Sequence, residues 1–335
     1  MGCGGIVRAS HLPAYRANGL EVAFAHDADR SRAEELVRDH GVAEVLDDLA
    51  AAPEDAIFDV AVPPDALPGV VGALPRGAFA LLQKPMGVDL AGADLVLATC
   101  RERGITAAVN FQLRFSALAR ELRALVRAGA LGSVTEVRVT VDVHTPWELW
   151  PFLVGMPRME LCMHSIHYLD LLRDLLGEPR GVVARTWPHP GAPGIHSTRT
   201  VAILDHGDAL RCVVSTNHSH RYGRRHQRSE IAIEGDAGAA IGKMGVNLDY
   251  PRGEPDTLEV SDGTTWREVE LDGSWFPDAF AGPMCNLQRF AAGEDDVLVT
   301  RVEDAWRTMA VVEACYTDAR TSSTAIPTLG DGDAS

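Results

Sequence analysis

The 335-residue sequence has no apolar run of the roughly 18 residues that a membrane-spanning helix needs. It also has no charged start followed by an apolar stretch of the kind that directs secretion. No membrane partner is therefore expected. Positive charge is scarce: 31 Lys and Arg stand against 47 Asp and Glu, for a formal net charge of −16. That sign disfavours long-range attraction to nucleic acid, and a small molecule is the easier partner. No C-x-x-C spacing occurs. The six cysteines, Cys3, Cys100, Cys162, Cys212, Cys285 and Cys315, are scattered. A chain of this length needs no disulfide staples, so reduced thiols in a cytoplasmic protein are expected. Cys3 stands apart because it lies in a glycine cluster; most of the others read as small core residues.

What is present is a globular composition, 46% hydrophobic and 23% charged, with length enough for about two domains. Leu20–His26, Ala56–Val62, Ala78–Gln83 and Ile105–Val109 read as strands, with helices at Arg30–His40 and Leu90–Arg103 between them. Strands and helices in alternation imply βαβ units and a parallel sheet. Beyond about residue 112 the pattern changes. A helix at Leu118–Ala128 precedes an alternating strand at Val134–Val143 and a helical block at His164–Leu176. Strand-like segments then follow, among them Gly181–Thr186, Arg199–Leu204, Leu210–Asn217 and Glu230–Glu234, and helices near Phe276–Ala292 and Val302–Arg320 close the chain. The expected fold class is α/β: a dinucleotide-binding domain over 1–112, an α+β domain with an open, mainly antiparallel sheet over 113–327, and a disordered tail over 328–335.

Gly2-Cys3-Gly4-Gly5-Ile6 before the helix-like Ala9–Ala17 fits a dinucleotide turn. Gly2 can turn tightly, Gly4 lets backbone approach a pyrophosphate, and the helix start offers N–H groups and positive dipole. Asp27, at the end of the strand Leu20–His26, stands where a carboxylate binds the adenosine ribose hydroxyls. A carboxylate there repels a 2′-phosphate, which prefers NAD over NADP, against the nearby Arg30 and Arg32. A glycine-rich helix start with Asp27 as a mere helix cap is the plainer alternative. A dinucleotide fold has a strand immediately before the first glycine, whereas here only Met1 precedes Gly2. The first strand is thus expected to be missing, with the true start upstream.

At Gln83-Lys84-Pro85 the sequence resembles the Gfo/Idh/MocA family, which includes glucose–fructose oxidoreductase and inositol dehydrogenase. The features that carry the resemblance run in order along the chain. They are the glycine turn, Asp27, Val62-Pro63-Pro64, Gln83-Lys84-Pro85, Asn110 with Arg114-Phe115, Gly129-Ala-Leu-Gly132, His164-Ser-Ile-His-Tyr-Leu-Asp170 and Glu234-Gly-Asp-Ala-Gly238. The resemblance implies a Rossmann domain joined to an open-faced α/β domain, and NAD(P)-linked oxidation or reduction of a sugar, polyol or related hydroxy or keto compound. It implies Gly2, Gly4, Gly5, Ile6, Asp27, Pro63, Lys84 and Asn110 as cofactor residues. Lys84 and His167 become the acid/base pair, with His164 a third catalytic candidate and Arg114, Asp170 and both histidines beside the substrate.

Oxidising an alcohol removes a proton from oxygen and a hydride from carbon, so a base must meet the hydroxyl and positive charge must steady the alkoxide. Lys84 follows an apolar strand, whose C-terminal end is where α/β ligands bind. A lysine bonded to loop carbonyls is the alternative. His164, His167 and Asp170 recur every third residue and would share one helical face. They could also ligate zinc, but this spacing arises often by chance, and no metal is expected. The chain departs from the family at Met163, where a carboxylate usually stands four residues before the histidine, and at Val62, Leu67 and Gln83. His164, Asp170, Tyr168 or the substrate itself would have to supply what Met163 cannot.

Two further stretches stand out. Asn217–Arg228 is rich in His, Arg and Tyr and reads as a hairpin or edge, or as a source of His218, His220 or Arg221 for an anionic substrate. Trp147, Trp150 and Phe152 stack on a sugar or pack in the core. The family also contains enzymes that use bound NAD transiently for elimination, epimerisation or glycoside hydrolysis, and a weakly catalytic NAD-dependent sensor or scaffold is a third possibility. By family likeness the protein pairs through its open sheet as a homodimer or homotetramer.

Overall fold

The structure is a computed structural model that describes residues 1–250 and 252–326. The tail expected over 328–335 lies outside the described residues. Helix α1 (Leu12–Ala17) continues a π-helical stretch, Val7–His11. Strand β1 (Phe24–Ala25) leads through helix α2 (Arg30–His40) to β2 (Glu44–Val45), its parallel neighbour. Strands β3 (Ile57–Val60), β4 (Phe79–Leu82) and β5 (Thr106–Val109) form a parallel sheet in that order, with helices α3 (Leu67–Ala73) and α4 (Leu90–Arg103) as crossovers. The ends of α2 and α4 follow local chemistry. Asp29 accepts from Ser31 N and Asp89 from Gly92 N at their starts, and Gly41 and Gly104, both at positive φ, close them.

The strand expected before Gly2 is represented by two residues. The Met1 amine donates to Asp59 O at 2.6 Å, and Ala61 N donates to Met1 O at 2.8 Å. This is the slanted bonding of a parallel ladder, reduced to one residue opposite Val60. On the other side Gly2 N donates to His26 O at 2.9 Å. Met1 and Gly2 thereby fill the slot between β1 and β3 and join the two small sheets.

Helix α5 (Ala117–Arg127) leads into a long twisted sheet. Its strands are β6 (Val134–Asp142), then, after helix α6 (Ile166–Leu176), β7 (Gly181–Trp187), β8 (Arg199–Asp205), β9 (Arg211–Asn217), β10 (Arg228–Gly235), β11 (Ala239–Lys243), β12 (Thr257–Ser261) and β13 (Trp266–Val269). They lie in the order β13-β12-β11-β10-β6-β9-β8-β7, antiparallel except for β6 with β9. Along β8, Thr200, Ala202 and Leu204 are buried while Val201 and Ile203 face out, the period-2 signature of a sheet covered on one face. Helix α7 (Ala281–Ala291) packs on β4 and β5, and α8 (Val302–Asp318) lies against α4, α6, β5 and β7. A single apolar cluster runs from Phe58, Val60 and Leu82 through Phe111 and Leu118 to Val139, Val214 and Val312. The boundary drawn after residue 112 therefore falls in a turn, Gln112–Phe115, that the core crosses without interruption.

The stretch Asn217–Arg228 is not a hairpin. Strands β9 and β10 pair with opposite sides of β6, so the segment between them passes over the end of β6. Its Arg224 pairs with Glu254, and Arg221 donates to Gly191 O. Two family-like motifs meet at Gly132: Ser133 N donates to Asp236 Oδ1 at 2.8 Å, and a Cβ on Gly132 would lie 1.9 Å from that oxygen.

Candidate functional site

The chain turns at Gly2 with φ +78°, and a Cβ there would sit 2.2 Å from Ala61 O, so only glycine fits. Gly4 and Gly5, by contrast, have open space where a Cβ would lie, and Ile6 is exposed. Cys3 is not the exception among core cysteines that its place in the glycine turn suggested. It is buried against Val7, Ala25 and Ala33, and burial pushes its thiol up. Cys3 N donates to Asp27 Oδ2 at 2.7 Å and Asp29 N to Asp27 Oδ1 at 2.9 Å, which ties the end of β1 to the glycine turn. The nearby arginines are engaged: Arg8 with Glu35 at 2.7 Å, Arg30 with Glu34 and Asp47, Arg32 with Asp29. Val62 packs beside Gly2, and Pro63 opens the turn that follows.

The residues fit a dinucleotide on two counts. Gly4 and Gly5 leave a side-chain-free cradle at the start of a helix that runs to Ala17. Asn110, fully buried at the end of β5, keeps its Oδ1 without a partner. Such an orphan acceptor suits a donor brought by a ligand, for instance a carboxamide.

Lys84 stands just past the C-terminal end of β4, and its amine donates to Met163 O at 2.9 Å. Burial lowers the amine from the usual lysine value to about 8. Opposite it, the chain makes a π-helical stretch, Glu160–Ser165, that runs into α6 and presents His164 and His167. Burial holds both imidazoles well below the usual histidine value. His218, Lys84 and His167 add to this at His164, and Lys84 at His167. Both rings are therefore neutral near pH 7. His167 Nδ1 has no partner, and the indole nitrogens of Trp147 and Trp275, edge-on to His164 and His167, are also unpartnered.

Arg114 and Asp170 need correcting as substrate residues. Arg114 Nε and Nη2 both donate to Asp170 at 2.6 Å, Asp304 lies 2.7 Å from the same guanidinium, and Thr308 donates to Asp170 at 2.8 Å. The pair is buried and bidentate, and it pins the Gln112–Phe115 turn to α6. Asp170 thus turns away from the histidines that share its spacing.

Glu160, which the sequence reading passed over, is fully buried and bonded on both oxygens. Ser165 Oγ donates to Oε1 at 2.6 Å, Thr200 Oγ1 to Oε2 at 2.5 Å, and His218 Nε2 lies 3.2 Å from Oε1. Burial by itself would raise this carboxyl, but the bonds from His218, Ser165 and Thr200 outweigh it and hold it below its ordinary value. His218 in turn packs on His164, ring centroids 4.9 Å apart, with Trp147 against both. A carboxylate therefore does lie behind this histidine cluster, three residues before Met163, but it bonds His218 and neither His164 nor His167. Of the other aromatics, Trp150 packs on Tyr250 and Phe152 is exposed. Among the described residues no group of three His, Cys, Asp or Glu is placed to hold a metal ion.

Residues 119–241 match the family model of the GFO/IDH/MocA C-terminal domain. The chain is 27% identical to D-apiose dehydrogenase of Paraburkholderia graminis over 343 residues, covering 97% of this chain and 88% of that protein. It is 33% identical to the myo-inositol dehydrogenase Hyg17 of Streptomyces leeuwenhoekii over 153 residues, covering 44% of this chain and 46% of that one. In fold it resembles an oxidoreductase from Agrobacterium radiobacter solved with NAD+, L-tartaric acid and magnesium, with a TM-score of 0.78, 22% identity, and 95% and 94% of the two chains covered. Its likeness to GFO/IDH/MocA proteins is thus carried by the C-terminal domain over residues 119–241 and by a fold shared along the chain.

Proposed function

We propose that the protein is a nicotinamide-dependent oxidoreductase, with NAD preferred to NADP, acting on a sugar, polyol or related hydroxy or keto compound. The observation that carries the reading is Lys84. Its amine, lowered to about 8, stands beside two neutral imidazoles at the C-terminal end of a parallel sheet whose glycine turn is open. The cofactor would supply the hydride acceptor or donor. Gly4–Ile6 would hold its pyrophosphate, Asp27 its ribose hydroxyls and Asn110 its carboxamide. The relatives support this: one is a D-apiose dehydrogenase, another a myo-inositol dehydrogenase, and a fold neighbour holds NAD+.

In the forward direction, neutral Lys84 accepts the substrate's hydroxyl proton, and its ammonium then steadies the oxygen that carried it. His167, with a free ring nitrogen and a neutral ring, passes the proton on. His164, walled by Trp147 and His218, orients the substrate. The unpartnered indole N–H groups of Trp147 and Trp275 are donors suited to a hydroxylated ligand. The preference for NAD follows from Asp27 and from the acidic partners that occupy Arg8, Arg30 and Arg32.

Assembly and location go with the reading. A homodimer or homotetramer would form through the open sheet face, where Val183, Val201 and Ile203 are exposed. No helix among the described residues is long and apolar enough to cross a membrane. The test is a nicotinamide absorbance screen over sugars, inositols and sugar acids with both cofactors, alongside direct nucleotide binding. Reduction of NAD by at least one of these classes is expected. Absence of both binding and turnover sinks the proposal.

A further inference from the structure

His11 lies in the π-helical stretch that follows the glycine turn and is fully buried. Its Nδ1 is 2.7 Å from Asp59 Oδ2, and Tyr15 OH donates to that same oxygen at 2.8 Å. On the other side of the ring, Nε2 is 3.0 Å from Gln83 Nε2 and 3.4 Å from Asn110 Nδ2. The sense of the Gln83 amide is set independently, because its Oε1 accepts from Lys84 N at 2.8 Å. An amide nitrogen only donates, so Nε2 of His11 has to accept and the ring proton has to be on Nδ1, toward Asp59. The bonds form one unbroken series, Tyr15 and Asp59 to His11, His11 to Gln83, and Gln83 to the backbone of Lys84.

We propose that Asp59 and His11 are a positioning pair for Lys84: by fixing the Gln83 amide they hold the Lys84 backbone, and with it the place from which the amine meets the substrate. The inference rests on the reading of Lys84 as proton carrier. Nothing in the glycine turn itself calls for a histidine six residues on from Gly5, and the geometry supplies the reason. It also gives a meaning to glutamine at position 83. A glutamate there would set a carboxylate against Nε2 and demand a second ring proton, making an imidazolium between two carboxylates. The glutamine matches an accepting Nε2 on His11 and keeps a negative charge away from Lys84.

The charged and titratable groups that face the Lys84 amine are Cys162, His164 and His167, all from the opposite segment. Those facing His11 are Asp59 and Tyr15, with the Met1 amine near Asp59. His11 bonds none of the groups that face the Lys84 amine and reaches Lys84 through Gln83, so a changed profile reports on Lys84. The experiment compares the intact protein with His11→Gln for kcat, KM, NAD affinity and the pH dependence of kcat. In His11→Gln, kcat falls about tenfold or more, a larger factor than any loss of NAD affinity passed on through Asn110. The rising limb near pH 8 moves up by about half a unit or more, because an amine released from its buried place returns toward the ordinary lysine value.

Asp59→Ala removes the acceptor that holds the His11 ring and gives the same two changes, which covers a His11→Gln protein too unstable to assay. An unmoved limb with kcat within about twofold of the parent, in whichever variant folds, overturns the proposal. Failure of the parent itself to bind or turn over any nicotinamide nucleotide overturns the functional reading, and this inference with it.

Discussion

In the parallel-sheet region Asp59 meets His11 at 2.7 Å, and in the antiparallel-sheet region Glu160 meets His218 at 3.2 Å. Each pair has one member in a π-helical stretch, a device that widens a helix by one residue and re-aims its side chains. The pairs differ in what lies beyond the imidazole. His218 has both nitrogens occupied, one by Glu160 and one by Thr145 Oγ1 at 3.0 Å, and every oxygen of Glu160 is bonded. His11 passes its second nitrogen on to Gln83 and Asn110, and Asp59 leaves Oδ1 buried without a partner. The same chemistry thus serves as an anchor where the network is closed and as a link where it is open.

The comparison breaks most visibly at the reacting end. Lys84→Ala is expected to lower kcat by roughly 10²–10⁴, an effect of about 3–5 kcal/mol on the barrier, with NAD affinity little changed. His167→Ala is expected to fall in the same range, and Arg114→Ala to act on stability instead, since its guanidinium is bound up with Asp170 and Asp304. Steady-state kinetics with a urea melt on each variant separates the two. Activity left intact in both Lys84→Ala and His167→Ala removes them from the chemistry.

Stability gives the next contrast. Glu160→Ala strips a buried imidazole and two hydroxyls of their acceptor at once and is expected to cost about 3–5 kcal/mol. Asp59→Ala is expected to cost less, about 2–3 kcal/mol, because its side chain is 19% exposed and one oxygen already lacks a partner. Urea unfolding near pH 7 reads both, and equal losses would erase the distinction between closed and open pairs. Both carboxyls are held below their ordinary values, so the stability they lend is complete above about pH 4, where the unfolded groups titrate. It is lost as pH falls further, through the lower folded values. In Glu160→Gln the acid limb of a stability-versus-pH curve flattens.

Much of this was legible in the sequence, and what was not has physical reasons. The bounds of α2 and α4 could be read directly because Asp29 and Asp89 cap them and Gly41 and Gly104 end them. The two-residue β2 and the short β11–β13 carry too little alternation to register. Lys84, His164 and His167 lie close together in space, and Asp27 bonds the glycine turn through Cys3 N. Spacing alone could not tell that Asp170 faces Arg114, because residues three apart on a helix are separated by a sixth of a turn. Glu160 and His218 are 58 residues apart, and no local pattern joins them. The one available signal was a lone carboxylate set against Leu161-Cys162-Met163, an apolar run that has no reason to hold it unless it has partners.

The smallest effects sharpen the contrast most, because they leave both pairs standing. Ser165→Ala removes one of three donors to Glu160, and Tyr15→Phe removes one of two partners of Asp59. Each is expected to cost about 1 kcal/mol in a urea melt, the worth of a single buried hydrogen bond. Their effects on turnover should diverge. In Ser165→Ala the remaining bonds from His218 and Thr200 still fix Glu160, and the change ends inside a closed network, so kcat and its pH limb stay where they were. In Tyr15→Phe, Asp59 keeps only His11, the ring gains freedom, and that freedom passes through Gln83 to Lys84. A drop in kcat of about two- to fivefold with a small upward move of the limb near pH 8 is expected there. Equal kinetics for the two variants would mean that the open pair ends at His11, as the closed one ends at His218.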